Sequence, residues 1–172
     1  MSGLATGNGL LNFGAQQAFT LHHPGDTAAA LAWARAADQS LAQVDFLTDV
    51  RLSEENDLSG ELNVPVPLLG EATLPFISRL SNAPLGATLD PHPLPERRGW
   101  VEVRGVAEVQ EGGTDGTSVR LSFDFQAFLQ LPGSQNVGGA AFEKMVRATA
   151  QRTIERVLAQ LPGQLQASMQ PE

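Results

Sequence analysis

Two periods of hydrophobicity succeed one another along this chain, a strand-like period of two and a helix-like period of about 3.6, and their order predicts the architecture. From 17 to 23, Phe19 and Leu21 share one face, as in a first strand, and Pro24 with Gly25 ends it. Asp26 is a good N-cap for a helix over 27–37, and Asp38 or Ser40 is suited to cap a second short turn running to Val44. Seven alanines within 27–37 favour helix and permit close packing, while Leu31, Trp33 and Leu41 supply most of the apolar bulk.

After Val44 the period becomes two. Val44, Phe46, Thr48, Val50 and Leu52 share a face against Asp45, Asp49 and Arg51, and 54–59 reads as a hairpin turn. Leu58, Leu62, Val64, Val66 and Leu68 repeat the pattern on a second strand. There Pro65 and Pro67 lie two apart, so the amides they lack point to one side and suit an exposed sheet edge. Ala72, Leu74, Phe76 and Leu80 make a third strand, with Pro75 on the other parity. Four prolines in 81–99 leave room for one short strand around 85–89. Val101, Val103, Ala107 and Val109 then align. After a turn at Gly112, Gly113 and Gly116, the clearest alternation in the chain sets Val119, Leu121, Phe123, Phe125, Leu129 and Leu131 against Ser118, Arg120, Ser122, Asp124, Gln126 and Gln130.

The chain closes with a helix over 142–161 that presents Phe142, Met145, Val146, Thr149, Thr153, Val157 and Leu161 on one face, stopped by Pro162 and Gly163. Glu143 with Arg147 and Gln151 with Glu155 sit at i,i+4 on its polar side. About 20 residues span ~30 Å, enough to cross the face of such a sheet. The Gly- and Asn-rich residues 1–14 read as a flexible arm, 15–162 as a single domain and 163–172 as a C-terminal tail.

Composition narrows the function. In 172 residues with 42% apolar content there is one sizeable core rather than two domains. A net charge of −8 argues against nucleic-acid binding, which needs clustered cations. With no cysteine, disulfides, thiolate metal sites and a Cys nucleophile are excluded. The opening residues lack the basic and apolar regions of a leader, and no run approaches the ~18 apolar residues of a membrane span. The expectation is a cytoplasmic protein without a transmembrane segment, for which only transient membrane contact stays open.

Candidate chemistry is sparse. His22 and His23 are adjacent, so on a strand they point to opposite faces and cannot enter one site together; His92 lies among prolines. Asp45 and Asp49 fall opposite the apolar face, and Glu54, Glu55 and Asp57 belong to a turn. No Gly-x-Ser-x-Gly or phosphate-loop sequence is present. Arg97 with Arg98 reads as a solvated loop, with anion binding as the alternative. No catalytic residue, metal site or cofactor is predicted.

Strand, split helix, about six antiparallel strands and a long terminal helix is an order that resembles the helix-grip superfamily, also called SRPBCC-type. It includes START lipid-transfer domains, aromatase and cyclase proteins and one subunit type of carbon monoxide dehydrogenase. The runs QVDFLTDV at 43–50, RGWVEV at 98–103 and AFEKMV at 141–146 are also similar to a small bacterial family of unknown function near that superfamily. The resemblance covers about 16–161 and implies an α+β fold, a curved antiparallel sheet of about seven strands wrapped around the C-terminal helix, with an apolar cavity between them. It carries over no functional residue.

The wall of that cavity is expected from Phe46, Val50, Leu62, Leu74, Phe76, Val101, Val103, Leu121, Phe123 and Phe125 on the sheet and Met145, Thr149 and Thr153 on the helix. Threonines on a buried stripe, where a tight core prefers Leu, and an adaptable Met favour a cavity. The resulting reading is a non-enzymatic binder of an apolar small molecule or lipid. Two alternatives stay open: a cyclase- or dehydratase-like enzyme acting on a hydrophobic substrate, marked by a buried acid, base or Arg at the pocket floor, and an interaction module with a filled core. Ligand identity and oligomeric state are not specified by the sequence.

Overall fold

The computed structural model describes residues 10–66, 70–110, 116–130 and 139–169. Its strands are β1 Leu10–His23, β2 Leu47–Leu52, β3 Asp57–Val66, β4 Gly70–Ala83, β5 Gly86–Pro91, β6 Gly99–Gln110 and β7 Thr117–Gln130. Its helices are α1 Thr27–Arg35, α2 Ala37–Leu41, α3 Gly139–Leu158 and α4 Leu161–Ser168. The seven strands form one antiparallel sheet in the order β1-β7-β6-β5-β4-β3-β2, and the helices cover its inner face. This is the helix-grip fold. Pro67, Leu68, Gly112, Gly113, Leu131 and Gly138 lie outside the described residues.

Inward parity carries from strand to strand. Leu62 pairs with Leu74, Leu80 with Leu89, Ala107 with Leu121, Val103 with Phe125, and Phe19 with Leu121. Two inward positions are glycines set opposite phenylalanines, Gly60 against Phe76 and Gly105 against Phe123. A Cβ on Gly60 would lie 2.9 Å from the Phe76 ring, and one on Gly105 would lie 3.0 Å from the Phe123 ring. Each ring therefore lies down over the strand beside it, and the missing side chains let the sheet bend there.

Four local expectations change in the tertiary structure. β1 begins at Leu10, inside the stretch read as an arm, because Leu11 and Phe13 extend the inward parity of Phe19 and Leu21 and are buried in the core. The residues read as a tail contain α4, since Pro162 sits in the first helical turn, where its missing N–H is no loss, and Leu161, Leu165 and Met169 are buried. β2 carries a bulge between Thr48 and Arg51, with Asp49 at φ 55°, so Leu47 and Leu52 face inward while Thr48 is exposed. Asp26 caps α1 as expected, its Oδ1 accepting the Ala29 N–H at 2.9 Å, but α2 has no side-chain cap.

The prolines mark where neighbouring strands run out rather than an open sheet edge. β3 lies between β2 and β4. Asn63 N–H donates toward the β2 side, to Phe46 O, so Pro65, on the same parity, would have aimed its amide past the last β2 pair, Leu47 with Leu62. Pro75 likewise faces the side where β5 has stopped, since β5 pairing begins only at Ser78 with Pro91. Beyond that end of β5 the Val103 carbonyl has no strand partner, and the buried Ser78 hydroxyl donates to it at 2.6 Å.

α3 lies against β1 and β3. Its buried row is Val146, Ala150, Ile154 and Leu158, with Thr153 beside it. Of the expected face, Val146 and Thr153 are buried and Phe142 and Val157 pack against the core, but the centre of the face turns from Met145 and Thr149 toward Ala150 and Ile154, and Met145 is 48% exposed. Ala150 and Ile154 are fully buried in that row, and its 3–4-residue spacing puts Val146, Ala150, Ile154 and Leu158 on one side of the helix. Glu143 and Arg147 form no ion pair, whereas Gln151 Nε2 does donate to Glu155 at 2.7 Å.

Side-chain amides hold the helices to the β1 edge and to the segment that leads into β2. On β1, Gln151 Oε1 accepts the Gly14 N–H at 3.0 Å and its Nε2 donates to Gly14 O. Gln166 repeats the pattern on His22, accepting its N–H at 3.2 Å and donating to its carbonyl at 2.9 Å. Just before β2, Gln164 accepts the Asp45 N–H at 2.7 Å. The Gln151 and Gln166 amides each complete the β1 edge as a further strand would, which blunts pairing with another chain. Replacing Gln151 with Ala removes two such bonds and is expected to cost about 1–3 kcal/mol in urea unfolding. Sedimentation should show more self-association for Gln151→Ala than for wild type; an unchanged midpoint and unchanged sedimentation would contradict the edge role.

Candidate functional site

The helices leave an apolar depression on the inner face of the sheet. α1 packs on β5, β6 and β7, and Trp33, Ala34 and Ala37 form one wall with Ser40 and Leu41 of α2. Leu80, Ala87, Leu89, Ala107, Leu121 and Phe123 form the sheet wall, with Gly105 at its base, and Leu165 of α4 closes the side. The depression encloses about 390 Å³ with its open mouth counted, yet only about 30 Å³ lies where the centre of a water molecule fits. Small residues make this space. Ala34, Ala87, Gly105 and Ala107 occupy positions where their neighbours along each element carry Leu, Val or Trp.

Trp33 and Ser40, two of the polar side chains of the lining, are already engaged. Trp33 Nε1 donates to Ser168 Oγ at 3.1 Å, and that hydroxyl donates to Leu165 O at 2.7 Å, which ties α1 to α4. Ser40 donates to Ala37 O at 3.4 Å. No ionisable side chain lines the depression, and among the described residues no buried side-chain nitrogen or oxygen lacks a partner. The described residues hold no group of three potential metal ligands, and none of their helices is long and apolar enough to cross a membrane.

The residues expected at a cavity wall divide into three groups. Leu121 and Phe123 line the depression. Leu62, Leu74, Phe76, Val101, Val103 and Phe125 are at most 1% exposed, in the core rather than at an open surface, while Phe46 is buried just before β2 and Val50 packs beside Gly60. On α3, Thr153 is buried but its hydroxyl donates to Thr149 O at 3.0 Å, Thr149 donates to Met145 O at 2.9 Å, and Met145 is exposed. The threonines thus direct their hydroxyls to their own helix. Sequence reasoning missed Trp33, Ala34, Ala87, Gly105 and Leu165. A usable signal was present in β6, where the inward series Val101, Val103, Gly105, Ala107, Val109 loses volume at its centre.

His23 stands beside the depression, its ring edge-on to Trp33 at 6.4 Å between centroids, and its Nδ1 accepts the Gly25 N–H at 2.9 Å. His22 is exposed on the opposite face, and the exposed His92 reaches Asp57 at 3.6 Å. Burial lowers the pKa of His23, an effect the Asp26 carboxylate partly offsets. The hydrogen bond from Arg79 lowers that of Asp57.

Residues 18–159 match a family described as Protein of unknown function (DUF3809). No curated protein matches. Among solved structures, the chain is similar to the Zhui aromatase/cyclase from Streptomyces sp. R1128, with 16% identity, a TM-score of 0.55 and coverage of 92% of this chain and 93% of that one. It is also similar to TTHA0849 from Thermus thermophilus, with 14% identity, a TM-score of 0.51 and coverage of 91% and 98%. These likenesses establish the fold.

A depressed histidine pKa stabilises the folded state above the unfolded value near 6.5, and this contribution is lost as pH falls through the lower folded value. The melting temperature is therefore expected to drop between about pH 7 and pH 5, and to drop less in His23→Gln. The Asp57 contribution disappears only in more acidic solution, below its ordinary range, so the two windows separate. Identical pH profiles for wild type and His23→Gln would remove His23 from this account.

Proposed function

Because the chain belongs to the DUF3809 family of proteins of unknown function and has the helix-grip fold, we propose that it is a binding protein for an apolar or lipid-like molecule, seated between α1–α2, α4 and the sheet. The observation that carries this reading is the charge-free depression in which small residues face two aromatic rings, Trp33 and Phe123. Apolar lining with few polar groups is what such ligands select. In this conformation the space is narrow, so a ligand larger than a water enters by displacing the Phe123 ring or Leu165, both at its margin.

The narrowness also favours a second reading, a filled interior in a module that acts through its surface. A cyclase-like reaction, the chemistry named for the Streptomyces neighbour, needs a positioned acid or base, and none is among the lining residues. That leaves simple binding as the better supported use of the depression.

Two alanines separate the readings. Ala34 lines the depression, whereas Ala150 is fully buried where α3 meets the sheet. Ala34→Leu should keep the wild-type melting temperature or raise it and abolish saturable binding of the neutral fluorescent probe N-phenyl-1-naphthylamine. Ala150→Leu should be destabilised by about 1–3 kcal/mol, the usual range for overpacking. Equal destabilisation by both, with no probe binding by wild type, would favour the filled interior.

A further inference from the structure

Arg35 is the last residue of α1 and follows Ala34 directly, so the helix carries it from the apolar depression to the rim. Its side chain is half-buried. Nε donates to Gly86 O at 3.2 Å and Nη2 to Ala83 O, across the turn between β4 and β5. No carboxylate pairs with it among the described residues, although ion pairs do form at Arg79–Asp57 and Arg104–Asp90. A guanidinium has five N–H donors, and these two bonds leave three.

Arg35 also borders a second, solvent-open depression of about 730 Å³ with its open mouth counted, lined by Arg35, Glu55, Asn56, Arg79 and Asn82 together with Leu52, Leu80 and Ser81. Leu80 also lines the apolar depression, so the two spaces share one wall residue. Within the polar space the cations differ. Arg79 is committed: Asp57 hydrogen-bonds it at 2.9 Å, and Asp57 and then Glu55 hold its pKa above the usual value. Arg35 hydrogen-bonds carbonyl oxygens and forms no ion pair among the described residues, with Glu55 as the free carboxylate of the same lining.

We infer that Arg35 is the headgroup site for an amphipathic monoanion, such as a medium-chain carboxylate, whose apolar chain passes Leu80 into the depression of Ala34, Leu89 and Phe123. The inference rests on the binding reading above and adds the charge and polarity of the ligand. A carboxylate is a suitable match for a guanidinium, since the pair forms charge-assisted, often bidentate hydrogen bonds. A half-buried cation strengthens such bonds relative to exposed ones. A purely structural Arg35, clamping the β4–β5 turn, would show no preference for ligand charge.

The test displaces N-phenyl-1-naphthylamine with dodecanoate, dodecanol and dodecylamine, three ligands of one chain length. In wild type, dodecanoate should compete about tenfold more tightly than dodecanol, and dodecylamine least well. In Arg35→Gln the ratio of dodecanoate to dodecanol should fall to near one, and Arg35→Lys should restore part of it. Equal competition by all three in wild type would overturn the headgroup site while leaving apolar binding in place. An equal loss for dodecanoate and dodecanol in Arg35→Gln would assign the residue to the turn alone. Failure of wild type to bind the probe would overturn both the headgroup site and the binding reading.

Discussion

An antiparallel sheet that curls without closing has two edges of unpaired backbone, and the placement of every other element follows from how those edges are finished. β1 and β2 lie at opposite ends of the strand order, and neither has another strand to pair with among the described residues. Gln151 and Gln166 complete β1 at Gly14 and His22, and Gln164 takes the backbone N–H of Asp45 at the approach to β2. α4 thereby ties the β1 edge to the segment that leads into β2 within one short helix. Once it is fixed there, Leu165 faces the interior and becomes a wall of the depression.

The interior divides into two regions with different packing. Under α3, the row Val146, Ala150, Ile154 and Leu158 belongs to one core with buried residues such as Phe13, Leu62 and Phe125. Under α1 and α2, inward alanines and Gly105 replace larger residues, and the sheet is incompletely covered. Glycine serves both regions but with opposite results. Gly60 lets Phe76 lie in the packed core, where it is 1% exposed, whereas Gly105 lets Phe123 lie at the border of the open space. Both phenylalanines were equally visible as inward residues of their strands; only their surroundings distinguish them.

Charge is arranged on the same division. The depression is free of ionisable groups, and cations and carboxylates stand at its rim or on the outer face of the sheet, where pairs such as Arg79–Asp57 and Arg104–Asp90 are solvated. Exposed pairs of this kind contribute little to stability. Arg35 differs because α1 ends beside the β4–β5 turn, whose carbonyl oxygens hold the guanidinium in place without neutralising it.

The succession of strands and helices up to α3, and the inward parity of most strands, were legible along the chain alone, because period-two and helical patterns are local consequences of which faces are buried; the helix-grip class came from the resemblance of that order to a known superfamily. The Asp26 cap and the inward series on β7 were legible for the same reason. The ends of β1 and of the terminal helices were not, since the short alternation of Leu11 and Phe13 within glycine-rich sequence acquires meaning only when β7 pairs with it. Nor was the centre of the buried face of α3: Met145 and Val146 are both apolar, and only the packing of the helix on β1 and β3 buries one and exposes the other. The bulge at Asp49 shifted the parity of β2 through one residue's backbone conformation, which hydrophobicity does not encode. The site was the least legible element, because a depression is a sum of small volumes drawn from α1, β5, β6 and α4. Ala34, Ala87, Gly105 and Leu165 are far apart in the chain and meet only through the packing of those elements.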